Sequence, residues 1–472
     1  MIDFKKLKYQ ESLKDHCGVF GIFAPREDVA KIAYFALHSL QHRGQEGAGI
    51  TVSDGKVLRS IKRQGLVTSV FDEATLRTLK GFIAVGHNRY STTGGNTVEN
   101  IQPIIISRKG QTLAIAHNGN LINSDKLALK LKGINRLTTS DTEILAFTVF
   151  NDAYKTWPQK ILNSMSMFKG AYSIIGCTKK EMFAFRDPWG FRPLSIGKLN
   201  GYYVLASETC AFDIIGAEYL RDVEPGEVVF IDEKGLQSTG KIRVKNQSFC
   251  LFEYVYLARP DSIINGKLVH KARQTSGELL AKQKPVKADL VVAIPDSGTS
   301  AALGYSRASS IPFGEILIKN RYIGRTFISP DQRLREQGVK IKFNPMKQFV
   351  KGKRIIVVDD SIVRGTTMKQ IVEVVREAGA LEIHLRICSP PIRWPCFFGV
   401  DTPERRALIA SDKTIAEIKK FIACDSLEYL TLGSLIKASG QKKSHLCTAC
   451  FSGKYPMPVD LNFKKNILES QC

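Results

Sequence analysis

The sequence predicts two different architectures in one chain: a layered α+β first half and an α/β second half with a helical tail. To about residue 240, short apolar strands broken by glycine, such as 112–120 and 171–177, alternate with longer helical patterns such as 141–157. After about residue 250, the apolar runs at 288–295 and 353–360 are short and continuous, as in strands buried on both faces of a parallel sheet. The last sixty residues have a helical pattern.

Length and composition fit a globular protein of two large domains or about three smaller ones, because the chain has 472 residues. It contains no run of eighteen apolar residues, and the N-terminus lacks the apolar region of a secretory signal. We therefore expect a cytoplasmic protein that does not bind membranes. Its ten cysteines then favour metal binding or catalysis over a disulfide framework.

The positive charge of the chain, +23 overall, is concentrated in one segment. Residues 319–354 contain eleven Lys or Arg and only two acids, Asp331 and Glu336. Nucleic acid and a small polyanionic substrate could each explain such a cluster. We find no zinc-finger or RNA-platform motif, so a small polyanion is favoured and no nucleic-acid partner is expected.

The most specific motif of the second half is RIIVVDDSIVRGTT, residues 354–367. A strand ends in Asp359 and Asp360, and a loop with Gly365 then opens a helix. Free backbone N–H groups and hydroxyls at such a helix start bind phosphate. The adjacent carboxylates could bind ribose hydroxyls and help to hold Mg²⁺. The alternative is a surface acid pair before a helix cap, and the strand and helix around the motif favour a 5-phosphoribosyl site.

This motif resembles the loop of type I phosphoribosyltransferases that binds 5-phosphoribosyl diphosphate (PRPP), which implies a Rossmann-like parallel sheet and one Mg²⁺ per subunit. A second strand-end loop, 293–298, could hold the diphosphate. The basic segment could close over it as a lid or be a solvated charged loop. The resemblance implies that Ser297, Asp359 and Asp360 surround Mg²⁺. The PRPP-binding residues that it implies are Asp359, Asp360, Ser361, Arg364, Gly365, Thr366 and Thr367.

The first half contains groups that suit an amidohydrolase acting on glutamine. Cys17 could be the nucleophile, and its own α-amino group, once freed, could be the base because its pKa is roughly 8. Asn118 and Gly119 could donate to an oxyanion. Arg89 suits the substrate carboxylate, and Asp141 suits the substrate ammonium.

These residues lie in motifs, CGVFG, LQHRGQE, HNRYSTTG, HNGNL and SDTE, that closely resemble the class II glutamine amidotransferases of the N-terminal-nucleophile (Ntn) fold. The resemblance implies an αββα four-layer domain over residues 17–245, preceded by a propeptide, 1–16, that is removed to free Cys17. A phosphoribosyltransferase domain, 246–410, and a helical C-terminal segment, 411–472, would follow.

Together the two resemblances imply an enzyme that hydrolyses glutamine and transfers the ammonia to PRPP. The products would be 5-phosphoribosylamine, glutamate and diphosphate, in the first committed step of purine biosynthesis. The resemblance also implies feedback inhibition by purine nucleotides and a homotetramer.

Four cysteines stand where one branch of this family binds a 4Fe–4S cluster: Cys250, Cys396, Cys447 and Cys450. Four thiolates with one C-x-x-C pair suit structural zinc equally well, and only the family resemblance prefers iron.

Two other functions are compatible with parts of the sequence. The amidase could serve another acceptor, as in glucosamine-phosphate or asparagine synthesis, but sugar isomerase and adenylation motifs are lacking. A phosphoribosyl-binding regulator of nucleic acid fits the positive charge, but such a regulator does not need the residues around Cys17.

Overall fold

The computed structural model describes residues 17–90, 95, 97–108, 110–131, 133–319, 343–402 and 404–461. The predicted propeptide, most of the basic segment and Cys472 lie outside the described residues. In the part that is described, no helix is long and apolar enough to cross a membrane.

Among the described residues, the first half has thirteen strands, seven α-helices and a short 3-10 helix at Gln41–Arg43. The strands are β1 (Gly18–Phe23), β2 (Gly47–Ser53), β3 (Leu58–Gln64), β4 (Ile83–Arg89), β5 (Ile104–Arg108), β6 (Gln111–Leu121), β7 (Gly170–Cys177), β8 (Met182–Arg186), β9 (Ser195–Leu199), β10 (Tyr202–Ala206), β11 (Glu218–Asp222), β12 (Glu227–Asp232) and β13 (Gly235–Lys241). The helices are α1 (Val29–Ser39), α2 (Val67–Val70), α3 (Glu73–Arg77), α4 (Ser124–Lys130), α5 (Asp141–Phe150), α6 (Trp157–Met167) and α7 (Cys210–Ile215).

These strands form two antiparallel sheets that pack face to face, as the four-layer prediction requires. One sheet has the order β11-β9-β10-β1-β4-β2-β3, and the other has the order β13-β12-β8-β7-β6-β5. Apolar side chains of both sheets, among them Val19, Val85 and Ile175, form the core between them. Helices α1 and α7 cover the outer face of the first sheet, and α5 and α6 cover that of the second. The predicted αββα architecture is confirmed.

In the part of the second half that the structure describes, there are ten strands, seven α-helices, a π-helical turn at Glu253–Leu257 and two short 3-10 helices. The strands are β14 (Phe249–Cys250), β15 (Ile263–Ile264), β16 (Lys267–Leu268), β17 (Leu290–Ala293), β18 (Leu317–Lys319), β19 (Phe343–Pro345), β20 (Arg354–Asp359), β21 (Glu382–Ile387), β22 (Ser426–Tyr429) and β23 (Leu446–Cys447). The helices are α8 (Val269–Gln283), α9 (Thr299–Ser309), α10 (Lys347–Val350), α11 (Thr366–Glu377), α12 (Ile415–Ile422), α13 (Leu432–Ser439) and α14 (Ala449–Ser452).

A four-stranded parallel sheet, β17-β20-β21-β22, forms the centre of the second half. Helices α8 and α9 pack on one face, and α11 and α12 pack on the other. The four apolar positions that the sequence places on one side of α11 are all buried there: Met368, Ile371, Val372 and Val375. The predicted parallel sheet covered by helices is therefore confirmed, and its strand ends place the phosphoribosyl motif at one edge.

One short element differs from the helical tail that the sequence predicts. Residues Ser426–Tyr429 form β22, the edge strand of the parallel sheet, between α12 and α13. Helix α12 ends at Ile422, and the next residue, Ala423, caps it in a left-handed conformation with φ 63°. Leu427 and Tyr429 then alternate inward in strand fashion. Pairing with β21 decides this conformation, and a segment of four residues has too little periodicity to reveal it.

Candidate active sites

Cys17 lies directly before β1, in the middle of the first sheet. Only 5% of its surface is exposed. Its Sγ donates to the backbone oxygen of Tyr90 at 3.3 Å and accepts from the Tyr90 N–H at 3.5 Å. Burial raises the pKa of the thiol to about 12, and the nearby Arg89 and Asp141 act on it with opposite signs. In this arrangement the thiol is neutral and needs a base to become a nucleophile.

The two residues predicted to bind glutamine, Arg89 and Asp141, and the predicted oxyanion residue Asn118 come from three elements. Arg89 ends β4, which pairs with β1, and Asp141 begins α5. Asn118 lies on β6 in the facing sheet. Two hydrogen bonds join these elements: Asp141 accepts from the N–H of Leu121 at 2.9 Å, and the ring of His87 contacts the backbone oxygen of His117 at 3.2 Å.

The side-chain amide of Asn118 is fully buried, and neither its oxygen nor its nitrogen has a hydrogen-bond partner in the described structure. An unsatisfied buried amide costs about 1–3 kcal/mol, so a fold keeps one chiefly where a ligand completes it. The next residue must be glycine: Gly119 has φ +155°, and an added Cβ would lie 2.0 Å from the backbone oxygen of Ala171. Both features suit an oxyanion site.

Arg89 is 2% exposed, and the backbone around it fixes its guanidinium group. Its two terminal nitrogens donate to the backbone oxygens of Asn100 at 2.6 Å and Gly95 at 2.9 Å. Burial lowers its pKa. Each terminal nitrogen carries two N–H groups, so a bidentate grip on a carboxylate, as the sequence predicts, is compatible with these backbone bonds.

The histidines near the site have structural surroundings. Burial lowers the pKa of His87 to about 3, so its ring stays neutral and cannot exchange protons near neutral pH. His42 contacts the Glu208 carboxylate at 2.8 Å. Neither histidine is therefore needed as the base if the α-amino group of Cys17 has that role.

A buried charge network lies beside Cys17 and was not predicted from the sequence. Arg43, from the LQHRGQE motif, donates from Nε to the backbone oxygen of Cys17 at 3.2 Å. It also contacts the carboxylates of Glu208 and Glu253. Burial alone would lower the pKa of Arg43, but these carboxylates outweigh that effect and raise it. Arg192 contacts Glu253 from the other side at 3.1 Å. Arg43 lies in a motif that the sequence analysis identified, but no local pattern in the sequence marks Glu208 and Glu253 as the partners of Arg43.

The predicted phosphoribosyl residues lie together at the carboxyl edge of the parallel sheet. Asp359 ends β20 and is 9% exposed, and Asp360 is 7% exposed. Ser297, from the neighbouring strand-end loop, donates to Asp359 at 3.3 Å, and Ser361 donates to Asp360 at 2.5 Å. Burial and the adjacent Asp360 both raise the pKa of Asp359 well above its ordinary value. This oxygen-rich group fits a divalent cation of the Mg²⁺ type, which would relieve the repulsion between the carboxylates.

The Gly365 loop opens α11 as predicted. Gly365 has φ +80° and immediately precedes the first helical residue, Thr366, which is exposed to solvent. An added Cβ on Gly365 would lie 2.6 Å from Cδ1 of Ile409 and 3.3 Å from the ring of Phe421. The loop is thus held from behind by apolar side chains, while its open side presents backbone N–H groups and hydroxyls.

The four predicted cluster cysteines, Cys250, Cys396, Cys447 and Cys450, line one small cavity with apolar neighbours. Burial raises the pKa of Cys250 to about 11 and the pKa of Cys450 well above its ordinary value. No group of three or more His, Cys, Asp or Glu side chains in the described ranges is close enough to hold a single metal ion. Four convergent thiols still fit a cluster, in which each thiolate binds a different iron.

The architecture and the two sites define a glutamine amidotransferase joined to a phosphoribosyltransferase. Family models agree: residues 87–213 match a glutamine amidotransferase domain, and residues 264–388 match a phosphoribosyl transferase domain. Among curated proteins, the chain is 49% identical to the amidophosphoribosyltransferase of Bacillus subtilis (strain 168), over 95% of this chain and 96% of that protein. It is 47% identical to that of Mycobacterium tuberculosis (strain H37Rv), over 97% and 90%.

Solved structures give the same result. A glutamine PRPP amidotransferase from B. subtilis, complexed with ADP and GMP, matches with a TM-score of 0.89 and 48% identity, over 94% of this chain and 98% of that one. A structure described as the allosteric regulatory enzyme of purine biosynthesis matches with a TM-score of 0.90 and 49% identity, over 94% and 97%. The chain belongs to the amidophosphoribosyltransferase family. It catalyses the glutamine-dependent amination of PRPP in purine biosynthesis.

Proposed function

We propose that Cys17 is the glutaminase nucleophile and that Asn118 and Gly119 form its oxyanion site. The unpartnered, fully buried amide of Asn118 is the observation that supports this most strongly. The thiolate attacks the carboxamide carbon, and the oxyanion receives hydrogen bonds from the Asn118 amide and the Gly119 N–H. The proton that the base takes from the thiol passes to the leaving nitrogen, so collapse releases ammonia and leaves a thioester, which water hydrolyses to glutamate and the free thiol. Asp141 binds the substrate ammonium, and Arg89 binds the carboxylate.

The base in this proposal is the α-amino group of Cys17, freed by removal of residues 1–16. A buried thiol with a pKa of about 12 has almost no thiolate at neutral pH, so a base within reach is necessary. We also propose that the amidotransferase domain spans 17–245, the phosphoribosyltransferase domain spans 246–410 and the C-terminal segment spans 411–472. Because β22 lies in the parallel sheet, the third segment contributes an edge strand to the second.

In the second site, we propose that the Gly365 loop, with Ser361, Arg364, Thr366 and Thr367, binds the 5-phosphate of PRPP. Asp359 and Asp360 face the ribose hydroxyls. Ammonia forms the new bond at C1, and the bond from C1 to the diphosphate oxygen breaks. Ser297, Asp359 and Asp360 would hold Mg²⁺, which supplies positive charge to the diphosphate when bound.

Cys250, Cys396, Cys447 and Cys450 are proposed to hold a 4Fe–4S cluster, which when bound cross-links three distant segments of the chain. The chain is further proposed to work in the cytoplasm as a homotetramer. Its expected inhibitors are purine nucleotides, in line with the ADP and GMP in the B. subtilis complex.

Intact mass and N-terminal sequencing of the active protein test the nucleophile and its base together. We expect a chain that begins at Cys17 and shows full glutamine-dependent activity. An uncut chain with the same activity would overturn the α-amino base. Ammonia-dependent synthesis with no glutamine-dependent synthesis in an uncut chain would instead support it.

A further inference from the structure

The backbone of residues 396–399, hereafter the 396–399 segment, packs directly on the oxyanion residues of the glutaminase. Asn120 donates from its side-chain nitrogen to the backbone oxygen of Phe397 at 2.9 Å. A Cβ added to Gly399 would lie 3.1 Å from Cα of Gly119, so the two glycine backbones touch. Gly399 has φ +95°, a conformation that also favours glycine. A segment some 280 residues away in the sequence thus forms one wall of the oxyanion site.

Arg192 connects the same segment to the nucleophile through a chain of buried hydrogen bonds. Its Nε and one terminal nitrogen donate to the backbone oxygen of Phe398 at 2.9 and 2.6 Å. The other terminal nitrogen donates to Glu253, which also accepts from Arg43. Arg43 in turn donates to the backbone oxygen of Cys17. The side chains of Arg192, Glu253 and Arg43 are at most 1% exposed, so water does not compete for these bonds.

Gly119 has no side chain, so contacts made by its neighbours determine the direction of its N–H. On one side its backbone faces the oxygen of Ala171, and on the other it faces Gly399. The bond from Asn120 to Phe397 fixes the residue that follows. An oxyanion donor must be aimed closely, because a shift of about 1 Å can lower the rate by ~100-fold.

We propose that the 396–399 segment positions the oxyanion site of the glutaminase, with Asn120 as the positioning residue that joins the two. This proposal rests on the proposed role of Asn118 and Gly119. If the proposal holds, glutamine hydrolysis in the first half of the chain requires the 396–399 segment of the second half. Since Cys396 begins the segment, the thiol-lined cavity adjoins the same wall.

The test compares glutamine hydrolysis with ammonia-dependent synthesis of phosphoribosylamine in Asn120→Ala and Asn120→Asp. The second variant keeps the shape of the side chain and removes the donor, and it serves if the first does not fold. We expect kcat for glutamine hydrolysis to fall about 10- to 100-fold. KM for glutamine, ammonia-dependent kcat, and iron and zinc content per chain should stay within about twofold of the parent, since Asn120 is not assigned to substrate binding and does not line the thiol cavity.

The matched control is Asn123→Ala. Asn123 makes the same kind of bond, from its side-chain nitrogen to the backbone oxygen of Met167 at 3.0 Å, but in the described structure it makes no hydrogen bond to the 396–399 segment. Its kcat should equal that of the parent. If the Asn120 variants behave like Asn123→Ala, or if both activities fall equally, the inference is overturned.

A separate variant distinguishes this inference from the proposed function. Asn118→Ala should lower kcat for glutamine hydrolysis at least as far as Asn120→Ala does. Full activity in Asn118→Ala would refute the oxyanion assignment itself. A low kcat in Asn118→Ala with a normal kcat in the Asn120 variants would refute only the positioning role.

Discussion

Glu253 is the shared carboxylate of the buried network, and replacing it with glutamine gives the sharpest test of that network. Its oxygens contact Arg43 and Arg192 at 3.1 Å, and all three side chains are at most 1% exposed. In Glu253→Gln, Arg43 keeps Glu208 as its partner, whereas Arg192 loses its charged partner and keeps the backbone oxygen of Phe398. Removing one partner of a buried ion pair destabilises a protein by about 3–5 kcal/mol, because the remaining charge stays desolvated.

Thermal unfolding followed by circular dichroism measures this effect. One kcal/mol shifts the melting temperature of a domain of 150–250 residues by roughly 2–4 °C, so we expect a decrease of about 6–20 °C. Glu73→Gln is the control: Glu73 and Arg77 pair at 2.6 Å on the surface, with both side chains 75% exposed. That pair contributes at most about 1 kcal/mol. A melting temperature for Glu253→Gln within about 1 °C of the control would refute our view of the network.

Three further predictions follow from the two sites. Asp359→Asn should lower synthesis with either nitrogen source by about 100-fold, and retained synthesis would contradict the site. The same variant should not lower the melting temperature at pH 7, because the raised pKa of Asp359 means that its charge opposes folding at that pH. Gly365→Ala should raise KM for PRPP about fivefold or more, since a side chain at φ +80° is strained; an unchanged KM in steady-state kinetics would show that the loop does not bind PRPP. In the uncut chain, the rate at which iodoacetamide alkylates Cys17 should increase about tenfold per pH unit from pH 7 to pH 10, because the pKa of the thiol is about 12. Peptide mass spectrometry measures this rate, and a plateau near pH 9 would mean that Cys17 is an ordinary thiol.

Features with a local signal were predictable from the sequence. The apolar run before Asp359 and Asp360 became β20, and the apolar spacing after Gly365 became the buried side of α11. The apolar strand that contains Asn118 became β6. In each case a few adjacent residues determine both the element and the chemistry at its end.

Features that depend on distant contacts were not predictable. Glu253 lies 210 residues from Arg43 and 61 from Arg192, and no periodicity or motif connects them. The contact of Gly399 with Gly119 is similar, since glycine has no side chain whose pattern could mark a packing face. Strand β22 depends on its pairing with β21 and was predicted as part of a helical tail.

The convergence of Cys250 and Cys396 with the C-x-x-C pair was expected only from the family resemblance. Spacing alone gives no reason to bring Cys250 and Cys396 together, and the structure places all four around one cavity. Binding of iron rather than zinc by these cysteines stays a prediction, which metal analysis of the purified protein tests.

The enzyme has two separate sites, and the central claim is that Cys17 supplies ammonia to the PRPP site. Phosphoribosylamine synthesis by Cys17→Ser, measured with glutamine and with ammonia as alternative nitrogen sources, tests this most directly. We predict that glutamine-dependent synthesis falls by at least about 1,000-fold, while ammonia-dependent synthesis stays within about twofold of the parent. Substantial glutamine-dependent synthesis by Cys17→Ser, or equal loss with both nitrogen sources, would contradict the account.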